Sequence, residues 1–385
     1  MVTTLARRAA VVGRPVLAAL AVAAAVAAAS HAEPASAAST LPTAIVSLGD
    51  SFISGEAGRW LGNSIDDSDG AWSGTDRACD PFGYCDPHRV YGDSYDDGCD
   101  RSDVAEIHEA TTKVTVDKSI NLACSGATTD AIWDSFKGED PQATQLARVA
   151  TTHQVTAVVL SIGGNDLNVS GIMATCGKAF LNPFGSPCTT DGSLQKQVAK
   201  ELPTVQAQIA KIIEYLRATM RSAGYTDSSY EFVLQGYPST VPDGENVRYD
   251  EKYDRYTTGG CPFYNVDLDW FRGQLTTEID DMLAQTAADA KARYLDLRDT
   301  FAGRELCSKT TSQVDSQHPV SLVTSEWSRF VSEYQQGIEQ ESLHPNAIGQ
   351  AVLGRCLGLF INARELGTAY CLNKPGQDFR YVYLK

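Results

Sequence analysis

The stretch from Val46 to Glu56, VSLGDSFISGE, decides the fold and contains the first candidate catalytic residue. Apolar residues run from Ala44 to Leu48 and stop at Gly49, a pattern that predicts a short buried strand. Ser51 follows, and in a parallel α/β sheet the carboxyl ends of the strands face the ligand crevice. Gly-Asp-Ser is also typical of a turn or a helix N-cap, so a nucleophilic serine needs partners elsewhere in the chain.

Three later stretches supply residues of the right chemistry. Residues 121–128, NLACSGAT, end a second apolar run in a glycine turn. Residues 158–166, VVLSIGGND, end a third apolar run in Gly-Gly-Asn-Asp. Residues 341–346, ESLHPN, precede a segment with the pattern of a helix. Ser51 has a hydroxyl group. The three stretches add a glycine that lets backbone approach closely, the side-chain amide of Asn165 and the imidazole of His344.

In this order, the four stretches resemble the sequence blocks of the SGNH (GDSL-type) hydrolase family, and the Gly-Asp-Ser-x-x-Ser-Gly-Glu opening is most similar to secreted actinobacterial esterases and lipases. The resemblance implies Ser51 as the nucleophile and His344 as the general base. It also implies an oxyanion hole formed by the backbone N–H groups of Ser51 and Gly126 and the side-chain amide of Asn165. These residue types suit the task, because glycine lets backbone approach closely and an amide donates without carrying charge.

Histidine is the side chain best matched to activating a serine at neutral pH. Of the six histidines in the chain, His344 matches the family block, and His318 in a polar loop is the second candidate. The resemblance places an orienting aspartate three residues before the histidine, and here that position is Glu341. Two arrangements stay open: a triad completed by Glu341, or a dyad of Ser51 and His344 oriented by a backbone carbonyl.

The N-terminus has the features of a secretion signal. Basic residues around Arg7 precede an apolar run from Pro15 to Ala29 and a cleavage motif at Ala35-Ser36-Ala37. We therefore predict a signal peptide over residues 1–37 and a single hydrolase domain over residues 38–385. Because the apolar run is short for a membrane span, we expect a secreted, extracellular protein without stable membrane insertion.

The net charge of −16 limits the classes of partner. Nucleic acids and anionic membrane surfaces need clustered Lys and Arg, so neither is expected to bind. The remaining expectation is a monomer that acts on a small-molecule or lipid ester. The chemistry of the four stretches requires no metal and no organic cofactor.

Ten cysteines in an exported chain predict disulfides. A zinc site would favour Cys-x-x-Cys pairs, which the sequence lacks. The family resemblance implies three pairs, and the remaining four cysteines are most simply completed as two more. In order, these pairs are Cys99–Cys124, Cys176–Cys188, Cys261–Cys307, Cys79–Cys85 and Cys356–Cys371.

Two irregular regions have more than one interpretation. Residues 61–104 form an insertion rich in Asp, Gly, Ser and Cys, which predicts a disulfide-tied loop beside the active site. Calcium binding in this acidic loop is the alternative, although the spacing of an EF-hand loop is missing. Residues 168–193 are predicted to form a loop closed by Cys176 and Cys188. It either walls an acyl pocket or covers the surface.

Strand and helix patterns alternate along the rest of the chain, which predicts parallel βαβ units. The fold class is therefore α/β: a three-layer α/β/α sandwich with about five parallel strands and flavodoxin-like connectivity, stapled by disulfides. After the first strand, the predicted strands cover 114–122, 155–162, 230–235 and 292–297. The predicted helices cover 52–60, 130–136, 142–152, 194–221 and 267–290, with one more after His344.

The predicted function is a secreted serine hydrolase that cleaves carboxylic esters through an acyl-enzyme on Ser51. Lipid acyl esters, as for a lipase or phospholipase, are the favoured substrates. Acetyl or hydroxycinnamoyl (feruloyl) esters on polysaccharide are the alternative. Acyl transfer to another alcohol, or an inactive member that serves as a binding protein, are less favoured.

Overall fold

The protein is described by a computed structural model over residues 41–64, 86–315, 317–331 and 339–385. Within these ranges, seven strands form one sheet in the order β2-β1-β3-β4-β5-β6-β7. The first six strands pair in parallel, and β7 pairs antiparallel with β6. The strands are β1 (Thr43–Gly49), β2 (Lys118–Asn121), β3 (Gln154–Ser161), β4 (Glu231–Gln235), β5 (Arg293–Asp296), β6 (Thr368–Leu372) and β7 (Tyr383–Leu384).

The order 2-1-3-4-5 is that of a flavodoxin-like sheet, as the sequence predicts. Helices cover both of its faces and complete the predicted three-layer sandwich. The helices are α1 (Ser51–Ser54), α2 (His88–Tyr91), α3 (Glu106–Glu109), α4 (Gln142–Thr152), α5 (Val169–Leu181), α6 (Ser193–Ser222), α7 (Asp254–Thr257), α8 (Asn265–Trp270), α9 (Thr276–Asp289) and α10 (Ala347–Asn362). In the same ranges, none of them has both the length and the apolar character that a membrane crossing requires.

The central strands are apolar throughout because both of their faces are buried. In β1, Val46 and Leu48 pack into the cluster formed with α4, α6 and α9. Ile45 points the other way, into the cluster formed with α3 and α10. Full burial of each such side chain contributes roughly 1.5–3 kcal/mol, so these strands fix the layers of the fold.

The helix that carries Ser51 is one turn long, not the nine-residue helix predicted over residues 52–60. It ends at Gly55, which adopts the left-handed conformation with φ of 88°. A Cβ at this position would lie 2.6 Å from the Cβ of Ala105. The close approach of α3 and a glycine C-cap therefore stop the helix.

The predicted loop over 168–193 contains a helix, α5, which covers Val169–Leu181. Two glycines, Gly171 and Gly177, weaken its helical signal, because glycine costs about 1 kcal/mol relative to alanine inside a helix. Gly177 lies where the helix approaches Pro262, and a Cβ there would be 3.7 Å from that ring. Tertiary packing therefore outweighs the low propensity of this segment.

Several other elements differ from the prediction in extent. The sheet has two strands more than the five predicted, β6 and β7, both from the C-terminal tail. In β6, buried and exposed residues alternate, so it lacks the continuous apolar run of a central strand. The second strand is four residues long, and a 3-10 turn at Thr129–Ile132 replaces the helix predicted over 130–136. A π turn at Phe271–Leu275 interrupts the helix predicted over 267–290.

Four of the five predicted cysteine pairs form disulfide bonds in the structure. They are Cys99–Cys124, Cys176–Cys188, Cys261–Cys307 and Cys356–Cys371. The fifth predicted pair, Cys79–Cys85, lies outside the described residues, as do the predicted signal peptide and part of the acidic insertion.

Candidate active site

Ser51 is the first residue of α1, immediately after the sharp turn that follows β1. The side chain of Asp50 caps the helix by accepting from the backbone N–H of Phe52 at 3.1 Å. Gly49 before it has φ of 138°, and a Cβ there would lie 1.8 Å from the carbonyl oxygen of Ser161. Only glycine fits this position, so the Gly-Asp-Ser sequence is required by the turn that presents the hydroxyl.

His344 approaches Ser51 from the other end of the chain. Its Nε2 lies 2.7 Å from the Ser51 Oγ, although 293 positions separate the two residues. The histidine precedes α10, whose N-cap Asn346 accepts from the N–H groups of Ile348 and Gly349. Leu343 adopts φ of 66° and is held there by a backbone hydrogen bond to Arg329. The predicted nucleophile and base are therefore in hydrogen-bond contact.

The second ring nitrogen of His344 faces a backbone carbonyl. Its Nδ1 lies 3.2 Å from the carbonyl oxygen of Ser342. The carboxylate of Glu341 is directed elsewhere and accepts from the Trp60 indole and the Tyr91 hydroxyl, each at 3.0 Å. Of the two arrangements that the sequence leaves open, the triad would need a Glu341 oxygen at Nδ1, whereas both oxygens are turned into this buried pair. The second predicted arrangement, a dyad oriented by backbone, fits the geometry.

Burial sets the protonation state of the imidazole. It lowers the pKa of His344 from 6.5 to about 4, against smaller opposing effects of the Ser342 carbonyl and the Glu341 charge. The ring is therefore neutral at neutral pH and free to accept the serine proton. The other candidate base, His318, is exposed and pairs with Asp315 at 2.9 Å. The structure does not bring it to this site.

The residues of the predicted oxyanion hole, Ser51, Gly126 and Asn165, line one cavity, and His344 lines it too. Gly126 adopts φ of 77°, which favours glycine at this turn. The amide nitrogen of Asn165 donates to the carbonyl of Ala127 at 2.9 Å. Because an amide nitrogen has two hydrogens, one can anchor the side chain while the other faces a substrate oxygen.

A side-chain bridge connects the turn of Ser51 to the turn of Asn165. The hydroxyl of Tyr237 donates to Asp50 at 2.5 Å and accepts from the N–H of Gly164 at 3.3 Å. The Tyr237 hydroxyl therefore connects Asp50, which precedes Ser51, to Gly164, which precedes Asn165. Burial raises the pKa of Asp50 to about 7, while the Tyr237 hydrogen bond opposes that rise.

Two further bridges complete a closed ring around the oxyanion hole. Asp166, after Asn165, accepts from the backbone N–H and hydroxyl of Thr129 at 3.0 and 2.5 Å. Glu56, at the end of the nucleophile turn, accepts from the hydroxyl of Ser125 at 2.6 Å. Each bridge links segments that are distant in the sequence, and we call the three together the bridging ring. Sequence reasoning missed the roles of Tyr237, Thr129 and Glu56, although Tyr237 follows β4 at the edge where ligands bind.

The cavity in front of Ser51 has a volume of about 660 Å³ and a mainly apolar wall. Helix α5 forms part of this wall, so the first interpretation of residues 168–193, an acyl-pocket wall, fits the geometry. Phe184 in the same region is instead exposed on the surface. The apolar lining includes Val169, Met173, Ala174, Leu181, Val241, Phe263, Phe271, Leu275, Ile279 and Val331.

Two groups of potential metal ligands occur among the described residues: Cys176, Cys188 and Asp267, and Asp97, Cys99 and Glu139. Both contain cysteines that are bound in disulfides and therefore have no thiolate to offer. Neither group fits a metal site. Of the acidic loop at residues 61–104, for which calcium binding is the alternative, residues 65–85 lie outside the described residues.

The chain matches the GDSL-like Lipase/Acylhydrolase family over residues 90–352, a range that includes Gly126, Asn165 and His344 and begins after Ser51. A search of curated proteins finds no significant match. Among solved structures, an extracellular lipase from Streptomyces rimosus is similar at 22% identity and a TM-score of 0.48, with 83% of this chain and 98% of that chain covered.

Two further solved structures are similar. A phospholipase A1 from Streptomyces albidoflavus NA297 has 20% identity and a TM-score of 0.47, covering 84% of this chain and 100% of that chain. A carbohydrate acetylesterase from Sinorhizobium meliloti has 12% identity and a TM-score of 0.38, covering 84% of this chain and 99% of that chain.

Proposed function

Because the chain belongs to the GDSL-like Lipase/Acylhydrolase family and is therefore a carboxylic ester hydrolase, we propose that it hydrolyses lipid acyl esters through an acyl-enzyme on Ser51. One observation carries this proposal: the hydroxyl of Ser51 lies 2.7 Å from Nε2 of the buried His344 imidazole, and both residues line an apolar cavity. Hydrolases of this family typically need no cofactor, and the steps below use none.

In the acylation step, the Oγ of Ser51 attacks the ester carbonyl carbon while His344 Nε2 takes its proton. The carbonyl oxygen becomes an oxyanion, which accepts from the backbone N–H groups of Ser51 and Gly126 and from the amide of Asn165. The intermediate then collapses. The bond to the leaving alcohol breaks, and the alcohol oxygen takes the proton from Nε2.

In the deacylation step, a water molecule takes the place of the leaving alcohol. His344 Nε2 accepts a proton from the water as its oxygen attacks the acyl carbon. The same donors stabilise the second oxyanion. Collapse breaks the bond to Ser51, whose oxygen regains the proton from Nε2, and the carboxylic acid leaves.

The cavity supports a lipid acyl group as the substrate. Its apolar lining gains free energy when it covers an alkyl chain, at roughly 25 cal/mol per Å² of apolar surface removed from water. A volume of about 660 Å³ exceeds what an acetyl group would fill.

We also propose that the protein is exported as a single hydrolase domain after loss of residues 1–37 and acts outside the cell as a monomer. The four disulfides support this compartment, because disulfides persist in oxidising environments. Leu41–Lys385 clusters as one compact unit, which supports one domain after the signal peptide.

A chain-length series of p-nitrophenyl esters, from acetate to palmitate, with methyl ferulate alongside, tests the substrate class. We expect kcat/KM to rise by about tenfold or more from acetate to a medium or long chain, as added methylenes bury in the cavity. The Ser51→Ala variant should be inactive on every ester. A maximum at acetate or ferulate would contradict the lipid assignment, and undiminished turnover by Ser51→Ala would contradict the mechanism.

A further inference from the structure

Glu56 is a buried acidic residue beside the site that the mechanism above does not use. Its side chain is 1% exposed, and its backbone N–H donates to the carbonyl of Ser51 at 3.3 Å. Its Oε2 lies 3.7 Å from Nε2 of His344, the nitrogen that moves protons in every step. Ionisation of this carboxyl group would act strongly on the site, because a buried charge so close to the base is little screened.

The carboxyl group joins the three segments that carry the catalytic groups. Its Oε2 accepts from the hydroxyl of Ser125, the residue before Gly126, at 2.6 Å. The Ser125 oxygen in turn accepts from the amide of Gln340 at 3.0 Å, and Gln340 lies four residues before His344. The segments that carry Ser51, Gly126 and His344 are therefore connected through one hydrogen-bonded group.

The surroundings of Glu56 favour its neutral form. Its Oε1 is buried and has no hydrogen-bond partner among the described residues. An ionised carboxylate with one unsatisfied oxygen is costly in such a place. Burial accordingly raises the pKa of Glu56 to about 8.

The charged and titratable groups that face Glu56 act in both directions. The negative charge of Glu341 raises its pKa further, while the Ser125 hydrogen bond, the Lys137 ammonium and Gln340 lower it. Asp100, Tyr91 and His344 also face the carboxyl group, the first two by electrostatic interaction and the third at 3.7 Å. Lys137 is the cation in this set, and it is exposed.

We propose that Glu56 is a positioning residue, which in its neutral form holds the Ser51 and Gly126 turns together and, once ionised, switches the hydrolase off. This inference rests on the function proposed for Ser51 and His344. The switch follows from geometry: a carboxylate 3.7 Å from Nε2 would retain the proton of the imidazolium instead of letting it pass to the leaving alcohol. The same charge would also oppose the developing oxyanion.

The direction of the pH dependence follows. Below the pKa of Glu56, the carboxyl group is neutral and turnover is at its plateau. As the pH rises through about 8, the group ionises and turnover falls. On the acid side, turnover falls only as the pH approaches the pKa of His344, at about 4.

The test compares Glu56→Gln, which keeps the shape and cannot ionise, with Glu56→Ala, which removes the bridge. The readouts are kcat and KM for a soluble alkyl ester, methyl butyrate, between about pH 5 and pH 10, with the released acid measured by chromatography. An alkyl ester is required because its alkoxide leaves only with the proton from Nε2. We expect wild-type kcat to fall about tenfold per pH unit above the transition and Glu56→Gln to stay level. Glu56→Ala should lose roughly tenfold in kcat at neutral pH with KM little changed, because the bridge acts through other groups.

Two further variants serve as a control and as an independent test of the pKa of Glu56. Glu214→Gln, an exposed change on α6 outside the cavity, should keep the wild-type profile. Lys137→Met removes a charge that lowers the pKa of Glu56, so it should shift the alkaline fall to higher pH without touching the carboxyl group.

An alkaline fall that persists in Glu56→Gln, or equal kcat values for Glu56→Ala and Glu56→Gln at neutral pH, would overturn the role of Glu56. Ser51→Ala separates this failure from failure of the proposed function. An inactive Ser51→Ala beside an unchanged Glu56→Gln profile refutes only the Glu56 proposal. An active Ser51→Ala refutes the function on which it rests.

Discussion

The active site has two sides that are stabilised differently. Hydrogen-bonded side chains position the oxyanion hole, which we call the oxyanion side, whereas a backbone carbonyl and burial position His344, which we call the base side. On the oxyanion side, the bridging ring uses three carboxyl groups, those of Asp50, Asp166 and Glu56. On the base side, His344 faces the carbonyl of Ser342 and no carboxylate contacts its Nδ1 among the described residues. The two sides therefore depend on different physical effects.

The difference shows what each side contributes to the reaction. The oxyanion hole works by position, since its donors must point to where charge develops. The bridging ring supplies that position by joining turns that the chain order leaves far apart. The base works by desolvation, which lowers the pKa of His344 to about 4 and keeps the ring neutral. Replacements on the oxyanion side should therefore cost more rate than removal of the nearby Glu341 charge.

The largest effect is expected at the oxyanion hole itself. Asn165→Ala removes a donor without adding or removing charge, and should lower kcat about 10²–10³-fold. Measurement of kcat and KM on a soluble p-nitrophenyl ester checks this. Asn362→Ala, which removes an exposed amide at the end of α10, is the matched control and should leave kcat unchanged. A loss below about tenfold in Asn165→Ala would remove Asn165 from the hole.

A smaller effect is expected from the bridge that positions this donor. Tyr237→Phe keeps the ring, which packs edge-on against Phe52, and removes only the hydroxyl between Asp50 and Gly164. We expect kcat to fall roughly tenfold with KM little changed, since a buried hydrogen bond is lost without loss of substrate contact.

Tyr294→Phe is the matched control for that bridge. Tyr294 donates to Asp280 at 2.8 Å, in a buried Tyr–Asp pair that does not line the cavity. Its loss should lower the urea midpoint and leave kcat unchanged. If both variants lower kcat equally, the Tyr237 hydroxyl has no special link to the site.

The smallest effect on rate is expected at Glu341. Its carboxylate binds Trp60 and Tyr91 rather than the imidazole, so Glu341→Gln should reduce kcat by less than about tenfold while lowering the urea midpoint. Kinetics and urea denaturation on the same preparation measure both. A loss approaching 10⁴-fold, as for removal of an orienting acid, would instead show a working triad.

The parts of the molecule that could be predicted from sequence are those with a local signal. Buried on both faces, β1 and β3 read as apolar runs. The order of the sheet follows from alternating strands and helices. Ser51, Gly126 and Asn165 could be placed at one edge because each follows a strand.

The parts that could not be predicted depend on contacts between distant residues. The bridge from Asp50 to Tyr237 spans 187 positions, and no local pattern specifies it. The sequence of α5 predicts a loop because its glycines lower the helical propensity, and packing stabilises the helix all the same. The position of Glu341, three residues before His344, leaves the choice between triad and dyad open, because the direction of its side chain depends on the distant Trp60 and Tyr91.

The most direct measurement of the central claim is covalent labelling with an alkyl fluorophosphonate, followed by mass spectrometry of the digested protein. We predict one adduct, on the Ser51 oxygen, with no labelling of Ser51→Ala and labelling slowed by about 10²-fold or more in His344→Ala. An adduct on another residue, or labelling of Ser51→Ala at the wild-type rate, would contradict the assignment of Ser51 and His344 as nucleophile and base.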